Sequence, residues 1–193
     1  MTELKNTIIY LIGIPAVGKY TTARAIARQT GAKLVDNHLI NNPIFSVARV
    51  DGTSRFPFPK EGWKYMGRIR RAVLAFIRDL GHPDESYIFT NVMAWDEIRP
   101  FRQIESLAKK RKGLFVPVWL KCAPGELRKR KASPQRRRMM KEIELSNIKY
   151  WTEEFRELDI PHRNRLDIDN TNLKPAQTAK LILEHIERCR NTK

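Results

Sequence analysis

The chain has 193 residues, 41% of them hydrophobic, and a formal net charge of +16. Such a length allows one α/β domain, or one with a small insert, around a full core. No apolar run reaches the roughly 18 residues of a membrane-spanning helix, and two cysteines, Cys122 and Cys189, make neither a disulfide framework nor a metal pattern. The expected setting is a reducing cytoplasm, with no membrane partner.

Half of the excess charge is local. Between Lys121 and Lys141 there are nine Lys or Arg and a single acidic residue. This concentration implies anionic partners. A nucleoside triphosphate would suffice, and nucleic acid is the alternative.

In chain order, Asn6 to Ile12 reads as a buried strand. The apolar run Ile8 to Ile14 leads not to a small-residue cleavage site but to Gly13-Ile14-Pro15-Ala16-Val17-Gly18-Lys19, the spacing G-x-x-x-x-G-K. Strand, glycine-rich loop and helix in succession make a phosphate cradle. The glycines permit a tight turn, the helix start adds the positive end of its dipole, and Lys19 supplies a charge for the β- and γ-phosphates. The pattern then calls for Ser or Thr, whose hydroxyl coordinates Mg²⁺. Tyr20 stands there instead and cannot easily place its phenol where a serine oxygen would sit. Thr21 is the next hydroxyl, suited to the α-phosphate. Any Mg²⁺ would rest on water, phosphate and a carboxylate from elsewhere.

The first helix spans about Lys19 to Gln29, with Ala23, Ile26 and Ala27 inward. Lys33 to Asp36 is a short second strand, and Asp36-Asn37-His38 lies at its C-terminal end, where ligands bind in doubly wound sheets. A short helix is expected over Pro43 to Val50. Asp51 to Gly62 reads by default as an ordinary surface loop, though its place after the second strand suits a substrate-side flap. Met66, Ile69, Val73, Phe76, Ile77 and Leu80 recur at helical spacing. Ser86 to Val92 is a third strand, with Thr90 and Asn91 where an Mg²⁺-binding aspartate is common and Asp96 a few residues on. Ile98, Phe101, Ile104, Leu107 and Ala108 mark a helix, and Leu114 to Leu120 a fourth strand.

Pro124 opens a helix into the basic cluster. Ser133-Pro134 reads as an N-cap and first-turn proline. The helix after it is expected to run from Gln135 to about Glu157, burying Met140, Ile143, Ile148, Trp151 and Phe155. Leu166 to Asp169 is the fifth strand. Pro175 opens the last helix, with Ala176, Ala179, Ile182, Leu183 and Ile186 inward. The four tryptophans, Trp63, Trp95, Trp119 and Trp151, read as core or pocket wall. Five strands alternating with helices imply a three-layer α/β/α domain with a mostly parallel sheet.

Beyond the loop motif, Val118 to Arg130 and Leu166 to Thr171 complete a likeness over nearly the whole chain. The sequence resembles the small P-loop kinases, the group of shikimate kinase, gluconate kinase, chloramphenicol phosphotransferase and the nucleoside monophosphate kinases. The resemblance implies one domain over 1–193 with sheet order 2-3-1-4-5, an acceptor-side region at about 37–83 and a basic helical lid at about 124–141. It implies ATP and Mg²⁺ as cofactors. Arg130 matches the arginine packed over the adenine, Asn170 and Thr171 the loop beneath it. Arg137 matches the lid arginine that reaches the transferring phosphoryl group, with Arg136 and Arg138 as adjacent competitors. Asp36 matches the acceptor-side aspartate, which orients or deprotonates a hydroxyl; Mg²⁺ coordination is its competing role. The implied catalytic set is Lys19, Asp36 and Arg137. The single aspartate of Lys33-Leu34-Val35-Asp36-Asn37-His38 departs from the Asp-x-Asp pair of a shikimate kinase.

Three functions follow, in order. The first is an ATP-dependent kinase of a small hydroxylated acceptor. Arg55, Lys60, Arg68 or Arg70 would suit an anionic one. The second is a polynucleotide-end kinase or nucleic-acid-binding ATPase, motivated by the charge. The third is a non-catalytic nucleotide-binding switch, motivated by Tyr20 and by the missing acidic residue after the third strand.

Overall fold

The computed structural model describes residues 4–48, 50 and 58–191. Five strands form one parallel sheet: β1 (Thr7–Ile12), β2 (Lys33–Val35), β3 (Tyr87–Asn91), β4 (Leu114–Lys121) and β5 (Leu166–Asp169), in the order β2-β3-β1-β4-β5. β1 is central and wholly buried because both its edges are paired and both its faces covered. A strand covered on both faces reads as a continuous apolar run, as TIIYLI does.

The period of two splits β1 between two cores. Ile9 and Leu11 face a layer built from α1 (Lys19–Thr30) and α7 (Pro175–Asn191), among Ala23, Ile26, Ala179, Ile182 and Ile186. Ile8, Tyr10 and Ile12 face the opposite layer, with Ile77 of α3 (Trp63–Asp79) and Phe101 and Ile104 of α4 (Ile98–Lys110). Phe101 is fully buried against Phe115 and Trp119. Truncating it to Ala would cost about 3–5 kcal/mol.

Several expectations change in detail. α2 spans Asn37–Phe45 rather than starting at Pro43, because Asp36 already occupies its N-cap position in extended conformation. Pro43 is then inside the helix, where it can donate no hydrogen bond, and the helix ends two residues later. Phe76 (61% exposed), Leu80, Ile98 and Ala176 lie outward. Of the tryptophans, Trp119 is core, Trp151 is partly buried, and Trp63 and Trp95 are exposed. Residues 51–57 of the expected flap, Arg55 among them, lie outside the described residues. Of its remainder, Phe58 packs edge-on against Phe45 and Trp63.

The largest correction concerns the expected helix from Gln135 to Glu157. α5 (Pro124–Lys131) is followed by a short α6 (Pro134–Arg138), which stops there. Met140 takes a left-handed φ of 51°, and the chain runs on without regular structure until a π-helical turn at Tyr150–Glu154. Buried ionic anchors override the helical pattern. Lys131 donates to Glu142 and to the Glu144 carbonyl, the Arg136 guanidinium to the Glu142 carbonyl, and Lys141 pairs with Asp36. A continuous helix could not bring Lys141 to Asp36 and Glu142 to Lys131 together. Of the apolar face expected of that helix, Ile148 is buried, while Met140, Ile143 and Phe155 are only partly covered.

Candidate active site

The loop between β1 and α1 is shaped by its glycines. Gly13 has φ 152°, and a Cβ there would stand 2.6 Å from the Leu120 carbonyl oxygen. Gly18, at φ 103°, is the left-handed residue that launches α1. L-residues with side chains rarely adopt such angles. Lys19 bends back over the loop, donating to the Gly13 carbonyl and, at 2.9 Å, to that of Ile14. The Thr21 hydroxyl donates to the Gly18 carbonyl at 2.9 Å.

The far wall of the loop is clamped from β5. Asn170, 2% exposed, donates from Nδ2 to the Val17 carbonyl at 2.8 Å. The Arg130 guanidinium donates to that same carbonyl, to Asn170 Oδ1, and to the Asn170 and Thr171 carbonyls. Thr171 accepts from the Ala123 amide at 2.8 Å. These side chains join the helix before the basic run to the glycine-rich loop.

The other wall is the C-terminal edge of β2 and β3. Asp36, 2% exposed, accepts the Thr90 hydroxyl proton at Oδ1, 2.5 Å away. Its Oδ2 lies 3.3 Å from the Lys141 ammonium, in a geometry that makes no hydrogen bond. His38 lies against Asn42, and burial pushes its imidazole down to about 4, with Lys141 adding to the shift. Arg70 donates to the Asn37 amide oxygen at 2.6 Å.

Both walls line one cavity of about 490 Å³, within the ordinary range of small-molecule sites. It takes in Pro15, Ala16, Gly18, Lys19, Tyr20 and Thr21 from the loop region. Asp36, Thr90 and Asn91 come from the strand ends, and Arg130, Arg136, Lys141 and Asn170 from the remaining wall. Gly13 and Val17 support the loop from beneath. Arg136 lines the cavity, whereas Arg137 and Arg138 are exposed. Among the basic residues weighed for an anionic acceptor, Lys60 and Arg68 are exposed.

Burial pushes the Lys19 ammonium down to about 7. Glu157 opposes the shift, while Arg136 and Lys141 add to it. Glu157 is the counterpart: desolvation raises its carboxyl to about 7, against the pull of Lys19. Its Oε1 is buried without a hydrogen bond. No sequence pattern marks Glu157, which lies in an isolated bridge with Ala94, or Lys141 as a cavity residue.

Mg²⁺ fits these residues poorly. Tyr20 stands at the hydroxyl position, and Asp36 is committed to Thr90 and faced by Lys141. Among the described residues no three His, Cys, Asp or Glu converge on one point.

No family model matches the chain, and no curated protein matches it. Solved structures do. A sugar kinase from Janibacter sp. HTCC2649 superposes with a TM-score of 0.60 at 16% identity, covering 94% of each chain. A gluconokinase from Sinorhizobium meliloti 1021 gives 0.59 at 16% identity, covering 98% of this chain and 96% of the other. An APS kinase from Mycobacterium tuberculosis, solved in complex with AMPPNP and APS, gives 0.56 at 12% identity, covering 95% and 98%. The fold is that of the small P-loop kinases. The sheet order implied by the resemblance, 2-3-1-4-5, is the order observed.

Proposed function

We propose that the protein is an ATP-dependent phosphotransferase acting on a small hydroxylated acceptor. The observation that carries this reading is the single cavity that holds Lys19 and its loop, the Asp36 carboxylate and the Arg136 guanidinium. Phosphoryl transfer spreads negative charge over the equatorial oxygens, so catalysis is mostly positioning and charge stabilisation. ATP, cradled by the loop from Gly13 to Thr21, supplies the phosphoryl group. Asp36 orients the acceptor hydroxyl and takes its proton as the oxygen bonds to the γ-phosphorus and ADP leaves. Lys19 and Arg136 bear the developing charge from two sides. Arg130, Asn170 and Thr171 form the base side of the nucleotide site. Arg70, which donates to Asn37 beside Asp36, would favour an anionic acceptor.

The basic run supports a small ligand over nucleic acid. Of its nine cations, Arg130, Lys131, Arg136 and Lys141 turn inward onto protein partners. Lys121 and Lys129 stand by Asp167 and Glu126. No helix among the described residues is long and apolar enough to cross a membrane.

The test is ADP formation across a panel of polyols, sugar acids and nucleosides. The expected result is turnover with at least one class, lost in both Lys19→Ala and Asp36→Asn. ATP binding with no turnover of any acceptor would overturn the transferase reading and leave a nucleotide-binding switch.

A further inference from the structure

The departure at Tyr20 has a structural counterpart. The Lys141 ammonium lies 4.3 Å from the centroid of the Tyr20 ring and 3.3 Å from Asp36 Oδ2. Lys141 is only 9% exposed, yet it lines the same cavity as Lys19. Its position depends on the break after α6, where Met140 takes its left-handed φ. The residue that removes the usual Mg²⁺ hydroxyl from the loop thus supplies the π-face on which a lysine rests.

Resting on the nucleotide reading above, we propose that Lys141 is the protein's own replacement for the divalent cation that a P-loop hydroxyl would fix, binding the phosphates of a nucleoside triphosphate beside Lys19. An ammonium is a compact charge with three donors. The aromatic face attracts it without using a donor, and Asp36 Oδ2, 3.3 Å away, takes at most one of the three. Donors are therefore left for phosphate oxygens. The carboxylate that could have ligated Mg²⁺ instead holds the lysine in place. A buried pair that only neutralised Asp36 would need neither the tyrosine nor a place on the cavity wall. Burial disfavours the Lys141 charge, and Asp36 opposes that shift; a phosphate beside it would favour the charge further.

The experiment is calorimetric binding of AMPPNP to the full chain, once in EDTA and once in excess Mg²⁺. The wild type is expected to bind in both, with affinities within about threefold of each other. Lys141→Met should lose about 10- to 100-fold of the affinity in EDTA, the cost of a charged hydrogen bond, and recover part of it with Mg²⁺. If the unpaired Asp36 prevents that variant from folding, Asp36→Asn with Lys141→Met removes both charges and should show the same loss of affinity in EDTA. A wild-type affinity that rises more than about tenfold with Mg²⁺ would overturn the inference and leave the nucleotide reading standing. A Lys141 variant that binds in EDTA like the wild type would overturn it equally. Absence of binding in both conditions would remove the nucleotide reading and the inference together.

Discussion

The Thr90 hydroxyl donates to Asp36 Oδ1 at 2.5 Å and so ties the C-terminal ends of β2 and β3 across 54 residues of chain. One carboxylate oxygen is thereby fixed, and the other, also buried, lies 3.3 Å from the Lys141 ammonium. A general base contributes about 10²–10⁴ in rate. Asp36→Asn should therefore lower kcat by about that factor at saturating nucleotide. Thr90→Val should cost less, roughly tenfold in kcat, because the carboxylate survives but is no longer aimed. Steady-state kinetics beside calorimetry checks both. An Asp36→Asn enzyme with unchanged kcat would assign that carboxylate to structure alone.

Arg136 and Arg137 are adjacent, but only Arg136 lines the cavity, held by its bonds to the Glu142 carbonyl. Loss of a charge-stabilising donor in the transition state costs about 10²–10³ in kcat. Arg136→Ala should show a loss of that order, and Arg137→Ala should stay within about threefold of wild type. The reverse ranking in parallel kinetics would mean that the basic segment rearranges on substrate binding and presents Arg137.

Burial holds the Lys19 ammonium down at about 7. Its depressed value contributes stability that is present at alkaline pH, above the ordinary lysine value, and is lost as pH falls through about 7. Phosphate oxygens favour the charged form, so nucleotide binding raises the value again. At about pH 8 the free protein should hold Lys19 largely neutral, and binding should take up a proton. Calorimetry of AMPPNP binding in two buffers of different ionisation enthalpy reads this uptake directly. It should disappear in Lys19→Met. An enthalpy independent of buffer at that pH would contradict the shift.

The sheet was legible because its strands are short apolar runs with clear ends. TIIYLI, YIFTN and LFVPVWLK are covered on both faces and show it. The glycine-rich loop was legible because its glycine spacing is dictated by backbone geometry, and Gly13 and Gly18 both take the angles that require it. The segment after Arg138 was not. Met140, Ile143, Ile148, Trp151 and Phe155 carry a helical period, but the chain is held by buried polar partners from distant elements. Asp36 lies 105 residues from Lys141 in sequence, and no local pattern announces their pairing. Arg136 and Arg137 are equivalent to any reading of sequence; only the turn of α6 decides which one faces the cavity. Glu157 likewise sits in a segment without helix or strand, where periodicity carries no information.

The most direct measurement is calorimetric titration of the wild type and of Lys19→Ala with AMPPNP. The account predicts binding by the wild type at about micromolar affinity, near −8 kcal/mol. It predicts a loss of at least about a hundredfold in the variant, because the role proposed for Lys19 is to pair with the phosphates. A wild type that binds no nucleotide, or a variant that binds as well as the wild type, would contradict the claim that this loop is a working phosphate site.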